Sequence, residues 1–230
     1  MKKFIKVPKR AAVEMLSLCC VLMLWQSSEQ AKANTIADSI LDFSATQGSN
    51  NWYYGYYPAP GNDLSLAVFV ELDGFIDNYW HHASVWFPPW TAIDNISLHP
   101  NGTNSIGGEE WAVKRWVSPD SMTVNLSGLI AKDDLGGNGV TAYIVLDGTV
   151  IYTTPIAPND TVGVTFSFDT PVNPGSVLDL VVDPDGDDAF DTTFFSVVIT
   201  QVPEPTPVTV GLLGVALVGL SQRWRFKRLG

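Results

Sequence analysis

The chain has 230 residues, with 13 lysines and arginines against 24 acids and a formal net charge of −11. Both cysteines lie near the N-terminus, at Cys19 and Cys20, so the bulk of the chain can neither form a disulfide nor use a thiol nucleophile. The acidic balance excludes nucleic acid and anionic membrane surfaces as partners held by charge.

Lys2, Lys3, Lys6, Lys9 and Arg10 form a basic start, followed by an apolar stretch over residues 11–25 that is interrupted by Glu14 and Ser17. Ala31 and Ala33 flank Lys32 in an A-x-A pattern. This layout predicts a secretory signal peptide over residues 1–33, cleaved after Ala33. Removing it and the last 29 residues leaves one domain, 34–201, with three cations, 21 acids and a net charge of −18. Such a domain is large enough to bury a real core.

That domain reads as all-β, a β-sandwich or jelly roll. Strands are predicted at about 40–45 and 52–57, at 64–72 from its β-rich composition, and at 111–118 and 122–129, where apolar and polar residues alternate at least in part. Residues 140–146 and 149–156 flank Asp147-Gly148, a type I′ hairpin signal. Further strands are predicted at 161–168, 176–182 and 192–200. Short strands at roughly even spacing indicate a sandwich. Residues 73–110 alternate little and hold Trp80, Trp86, Trp90, all three histidines and Pro88-Pro89. They are predicted to form a long structured insertion, the kind of place where function sits on a sandwich.

Two sites stand out within the domain. Trp52, Tyr54 and Tyr56, with Trp80, Trp86 and Trp90, are candidates for an aromatic platform on which sugar rings stack. Period 2 also puts Trp52, Tyr54 and Tyr56 on one face of a strand, and a strand on a sandwich has one face inside. Asp183, Asp185, Asp187, Asp188 and Asp191 crowd nine residues and form a candidate calcium site, since hard cations want six to eight oxygens. The same Asp-Pro-Asp-Gly composition equally describes a solvated turn. Catalytic signals are weak. The histidines lack HExxH spacing, no G-x-S-x-G elbow occurs, and paired carboxylates cannot be read from sequence order.

Val202-Pro203-Glu204-Pro205 opens the C-terminal segment, 202–230. Its prolines forbid helix and central strand, so it is expected to be an extended, exposed peptide. Residues 206–222 follow as a predicted transmembrane helix, short against the roughly 20 residues a span requires. Arg223, Arg225, Lys227 and Arg228 form a basic stop that keeps the tail in the cytoplasm.

Pro203-Glu204-Pro205, the glycine-bearing apolar stretch and the basic end resemble the PEP-CTERM tail of bacterial surface proteins. The resemblance implies cleavage by an exosortase, a membrane peptidase, in a cell that makes exopolysaccharide. Within the domain, residues 50–57, His99-Pro100, residues 111–116, residues 136–140 and Asp191-Thr192-Thr193 are similar to a domain of secreted bacterial proteins. That domain resembles jelly-roll carbohydrate-binding modules. The expected protein is therefore exported, non-enzymatic and anchored in the inner membrane, then placed at the cell surface or in an exopolysaccharide matrix. The alternatives are a carbohydrate-binding module with structural calcium, or a glycan-active hydrolase.

Overall fold

The computed structural model describes residues 34–203, apart from residue 62 and residues 84–86. The signal segment with Ala31 and Ala33, the tail from Glu204 onward and Trp86 lie outside the described residues. Among the described residues no helix is long and apolar enough to cross a membrane.

Fourteen strands run in chain order: β1 (Asn34–Asp38), β2 (Trp52–Pro58), β3 (Val70–Glu71), β4 (Gly74–Ile76), β5 (Tyr79–His81), β6 (Ala92–Ile93), β7 (Ser97–His99), β8 (Glu110–Val117), β9 (Met122–Lys132), β10 (Val140–Leu146), β11 (Thr149–Ile156), β12 (Val164–Val172), β13 (Val177–Asp183) and β14 (Thr193–Gln201). They form two sheets. One has the order β12-β9-β14-β7-β6-β5-β4, with β1 also on β14. The other has the order β11-β10-β13-β8-β2-β3. All pairings are antiparallel.

The core lies between the sheets and follows the period of two. In β14, Phe195, Val197 and Ile199 point inward, and in β9 Val124, Leu126 and Ile130 do the same. The second sheet is also covered on its outer side. There Tyr57, Trp111, Val113, Val145 and Val181 form a separate apolar cluster beneath Leu64 and Phe69. Coverage on both faces is why 111–118 alternates only in part. It is also why 64–72 is not the strand its composition predicts. Its apolar side chains lie over a sheet instead of pairing in it, as a short 3-10 turn at Leu64–Leu66 and the two-residue β3.

Two other expectations change. Residues 40–45 are a turn, because Asp38 Oδ1 accepts hydrogen bonds from the Ile40 and Leu41 amides and closes the chain at the end of β1. Residues 73–110 hold four short strands, β4 to β7, that extend the first sheet. With two or three residues each, they are too brief to alternate visibly. The Asp147-Gly148 hairpin forms as predicted, with φ of 50° and 77° at the turn.

One inward position of the second sheet is charged. Lys114 stands between Ala112 and Trp116 on β8 with no exposed surface. Its Nζ donates to the Asn95 carbonyl at 3.0 Å. Burial pushes the ammonium down from 10.5 to about 7, and Asp94 offsets this only in part. Between pH 7 and 10 the unfolded chain then holds more protons on this lysine than the native one. This group therefore adds stability as pH rises through that window, by about 1.4 kcal/mol per unit at most. Chemical denaturation at pH 7.5 and 9.5 is expected to show the native chain gaining stability from this source, and Lys114→Met losing the gain.

Candidate functional site

A cavity of about 340 Å³ opens on the outer face of the first sheet, over β5, β6 and β7. The alternation of these strands builds it. Trp80, Ile93 and Leu98 turn into the core, so their neighbours Tyr79, His81, Ala92, Ser97 and His99 turn outward and line the cavity. Asp77-Asn78 makes the tight turn between β4 and β5, with φ of 49° and 69°. Ile76 and Asp77 form the rim there, and Thr192, one residue before β14, closes the opposite side.

The wall comes from residues 87–90, just before β6. The Phe87 and Trp90 rings stack with centroids 5.2 Å apart and planes 14° from parallel. Two consecutive cis peptides, Phe87-Pro88 and Pro88-Pro89, lie between them. Asn101 fixes this segment from below. It is fully buried; its Oδ1 accepts from the Trp90 amide at 2.7 Å and its Nδ2 donates to the Gly108 carbonyl at 2.6 Å. Gly107 closes the contact, since a Cβ there would stand 2.4 Å from Pro89 Cγ. Trp90 and Tyr79 keep 43% and 44% of their surface exposed, so both offer aromatic faces to a ligand.

Polar groups in the cavity have defined states. His99 is bonded through Nδ1 to the Pro100 carbonyl at 2.7 Å. Burial lowers its pKa against the pull of Asp188 and Asp134, so the ring is neutral at neutral pH. The Tyr79 phenol is pushed upward, first by burial and then by Asp94, to which it is hydrogen-bonded, and by Asp133. The remaining lining is apolar except for Asp77, Ser97, His81 and Thr192. Among the described residues Asp77 is the one carboxylate in the lining.

The predicted aromatic platform does not form as one surface. Trp52 and Tyr54 have no exposed area, and Trp80 has 5%. Trp80 stacks on Tyr54 at 5.8 Å and donates from Nε1 to the Ser44 carbonyl. These three rings fill the sandwich, so the inward reading of β2 is the correct one. Tyr56 is half-buried against His82, with ring centroids 5.0 Å apart. His82 Nε2 lies 2.9 Å from Glu110 Oε2, which also accepts from Thr91 Oγ1. Of the six predicted residues, only Trp90 is seen at the cavity. Tyr79, Phe87, His81 and His99 were missed as site residues, although the insertion that carries them was singled out by its aromatic content and poor alternation.

The five carboxylates of the candidate calcium site are held by protein groups. Asp183 accepts from the Asp185 amide at 2.8 Å, and Asp185 from Thr141 Oγ1 at 3.1 Å. Asp187 and Asp188 both hold the Asn104 amide, at 2.9 and 3.0 Å, and Asp188 also binds the Gly102 amide. Asp191 forms a fully buried ion pair with Lys132 at 2.9 Å. Among the described residues no three histidine, cysteine or acidic side chains converge as metal ligands. The loop is a hub of Asx-type bonds that ties residues 102–104, Thr141 and Lys132 together. Burial pushes Asp183 and Asp191 up to about 7.

No protein-family profile matches the chain, and no curated protein is similar to it. Among solved structures, it is similar to the GH26-CBM35 β-(1,4)-mannanase of Podospora anserina at 17% identity, covering 42% of this chain and 20% of that one, with a TM-score of 0.30. The chain thus spans about a fifth of that protein. A family 35 carbohydrate-binding module from an environmental isolate is 23% identical over 41% of this chain and 72% of that one, with a TM-score of 0.27. CBM51 from a Clostridium perfringens GH95 protein, solved with methyl-galactose, is 16% identical over 46% and 79%, with a TM-score of 0.30.

The Asn101 clamp is testable by itself. Asn101→Ala strips a buried donor from the Gly108 carbonyl and a buried acceptor from the Trp90 amide. It is expected to lower the unfolding free energy by about 2–3 kcal/mol in urea titrations.

Proposed function

We propose that this chain is an exported, non-enzymatic glycan-binding protein whose binding site is the cavity over β5–β7. The observation that carries this reading is the stack of half-buried Phe87 on exposed Trp90, walling a cavity floored by polar side chains. Flat aromatic faces suit the apolar faces of sugar rings, while Ser97, Thr192 and the histidines offer hydrogen-bonding groups to hydroxyls. Concave, mostly apolar pockets with a few fixed polar groups are the usual form of small-ligand sites. A single lining carboxylate does not supply the pair that glycoside hydrolysis uses. Calorimetry of the full chain against a polysaccharide panel is expected to detect binding, and Trp90→Ala to weaken it at least thirtyfold, as loss of an aromatic anchor does. Absence of binding across neutral, anionic and cationic glycans would overturn the reading.

The C-terminal segment is read as the sorting signal that delivers this domain. Supporting this, the chain remains in the sheet through Val202, whose amide donates to the Thr123 carbonyl at 2.9 Å. Pro203, with no N–H to give, is the first residue unable to continue the ladder. The motif therefore starts next to the last residue bonded into the sheet, which suits a segment offered to a membrane peptidase. Replacing Pro203-Glu204-Pro205 by alanines is expected to leave an unprocessed, membrane-bound form on immunoblots. Identical processing of variant and native protein would refute the assignment.

A further inference from the structure

The cavity lies in a domain that presents no unpaired cation. The three cationic side chains between residues 34 and 203 are Lys114, Arg115 and Lys132. Lys114 and Lys132 have no exposed surface. Arg115 is held in a two-pronged pair with Asp179 at 2.7 and 2.9 Å, its guanidinium 4.0 Å from the Phe69 ring that covers the outer face of the same sheet. Against them stand 21 acids. Around the cavity itself, Asp77 is at the rim, Asp94 and Asp133 act on Tyr79, and Asp134 and Asp188 act on His99. Lys132, paired with Asp191, is the one cation that also acts on His99, so acids outnumber cations around the mouth.

The walls add a second, independent selectivity. Phe87, Trp90 and Tyr79 place three aromatic rings around one space. Aromatic faces attract ammonium groups through their quadrupole, and a carboxylate or sulfate meets the same faces as a repulsive surface. A carboxylated or sulfated sugar would thus lose its hydration without meeting a countercharge. A sugar carrying a protonated amine would gain both from the rings and from Asp77.

Resting on the glycan-binding reading, we propose that the cavity selects amino sugars with a free, protonated amine, in preference to N-acetylated, neutral or uronic acid residues. Asp77 sits on an exposed turn at the rim, placed to take the ammonium while the ring lies against Trp90.

The test is a binding comparison on the full chain in mild detergent at neutral pH, using glucosamine oligomers and N-acetylglucosamine oligomers of equal length. The glucosamine series is expected to bind about tenfold tighter at low ionic strength, the size of one charge pair near a protein surface. That margin is expected to shrink in 0.5 M salt. Asp77→Asn, a replacement that keeps a residue tolerant of positive φ in the turn, is expected to bring the two series close to equal without abolishing binding. Equal affinity in the native protein, or a preference indifferent to both salt and Asp77→Asn, overturns this inference and leaves the glycan site standing. Failure of either series, and of neutral glycans, to bind overturns the site itself.

Discussion

The Lys132–Asp191 pair holds the end of the sandwich on which the rest depends. Neither side chain has any exposed surface. Lys132 ends β9 and also donates to the Phe190 carbonyl at 2.6 Å, so it grips the acidic loop at its last turn. Two residues later β14 begins, and the residue between, Thr192, lines the cavity. Separating two such charges in a low-dielectric interior would leave one of them without a partner or water, at about 3–5 kcal/mol. That penalty fixes the start of β14, and with it the closed side of the cavity. Asp187 and Asp188 extend the hold to Gly102 and Asn104, which follow directly on the Asn101 clamp under Trp90.

A domain with so few cations uses every one of them structurally. Lys132 pins a loop, Arg115 crosses β8 to Asp179 on β13 beside the Tyr57 hydroxyl, and Lys114 spans the core to a loop of the opposite sheet. The fold has no disulfide to carry such long-range constraints. Charge therefore does internal work, and the surface is left with one sign. The cavity inherits that sign from the construction of the whole domain as much as from its own lining.

Much of this architecture was legible in the sequence. Strands β9, β10, β11 and β14 are long, alternate clearly and face one core, so period and turn chemistry sufficed. The short strands β4 to β7 were not legible, because three residues cannot display a period. The apolar run at 64–72 misled for a different reason. It is apolar because it covers a sheet, and composition does not distinguish covering a sheet from joining one. The aromatic residues posed the hardest problem. Period 2 groups Trp52 with Tyr54 but cannot say which face of β2 is inside; only the pairing with β8 decides that. Trp90 and Phe87 meet through a pair of prolines and an asparagine eleven residues away from Trp90, a relation with no local signature. The acidic loop had the composition of a cation site, but side-chain amides and backbone N–H groups met its carboxylates instead.

The placement of β14 has a mechanical consequence. Its first residues lie beside β7 near the cavity, and its last pair with β1 where the chain leaves the sheet at Pro203. Nine residues of strand, roughly 30 Å at the usual rise, separate the two ends. A load applied between the two ends of β14 would run along the strand's own axis. The nine paired positions between β14 and β9 would then share it in shear. Strands loaded this way must break many hydrogen bonds together, whereas a strand peeled from an edge loses them one at a time. Along β14 the sandwich is thus braced against unzipping.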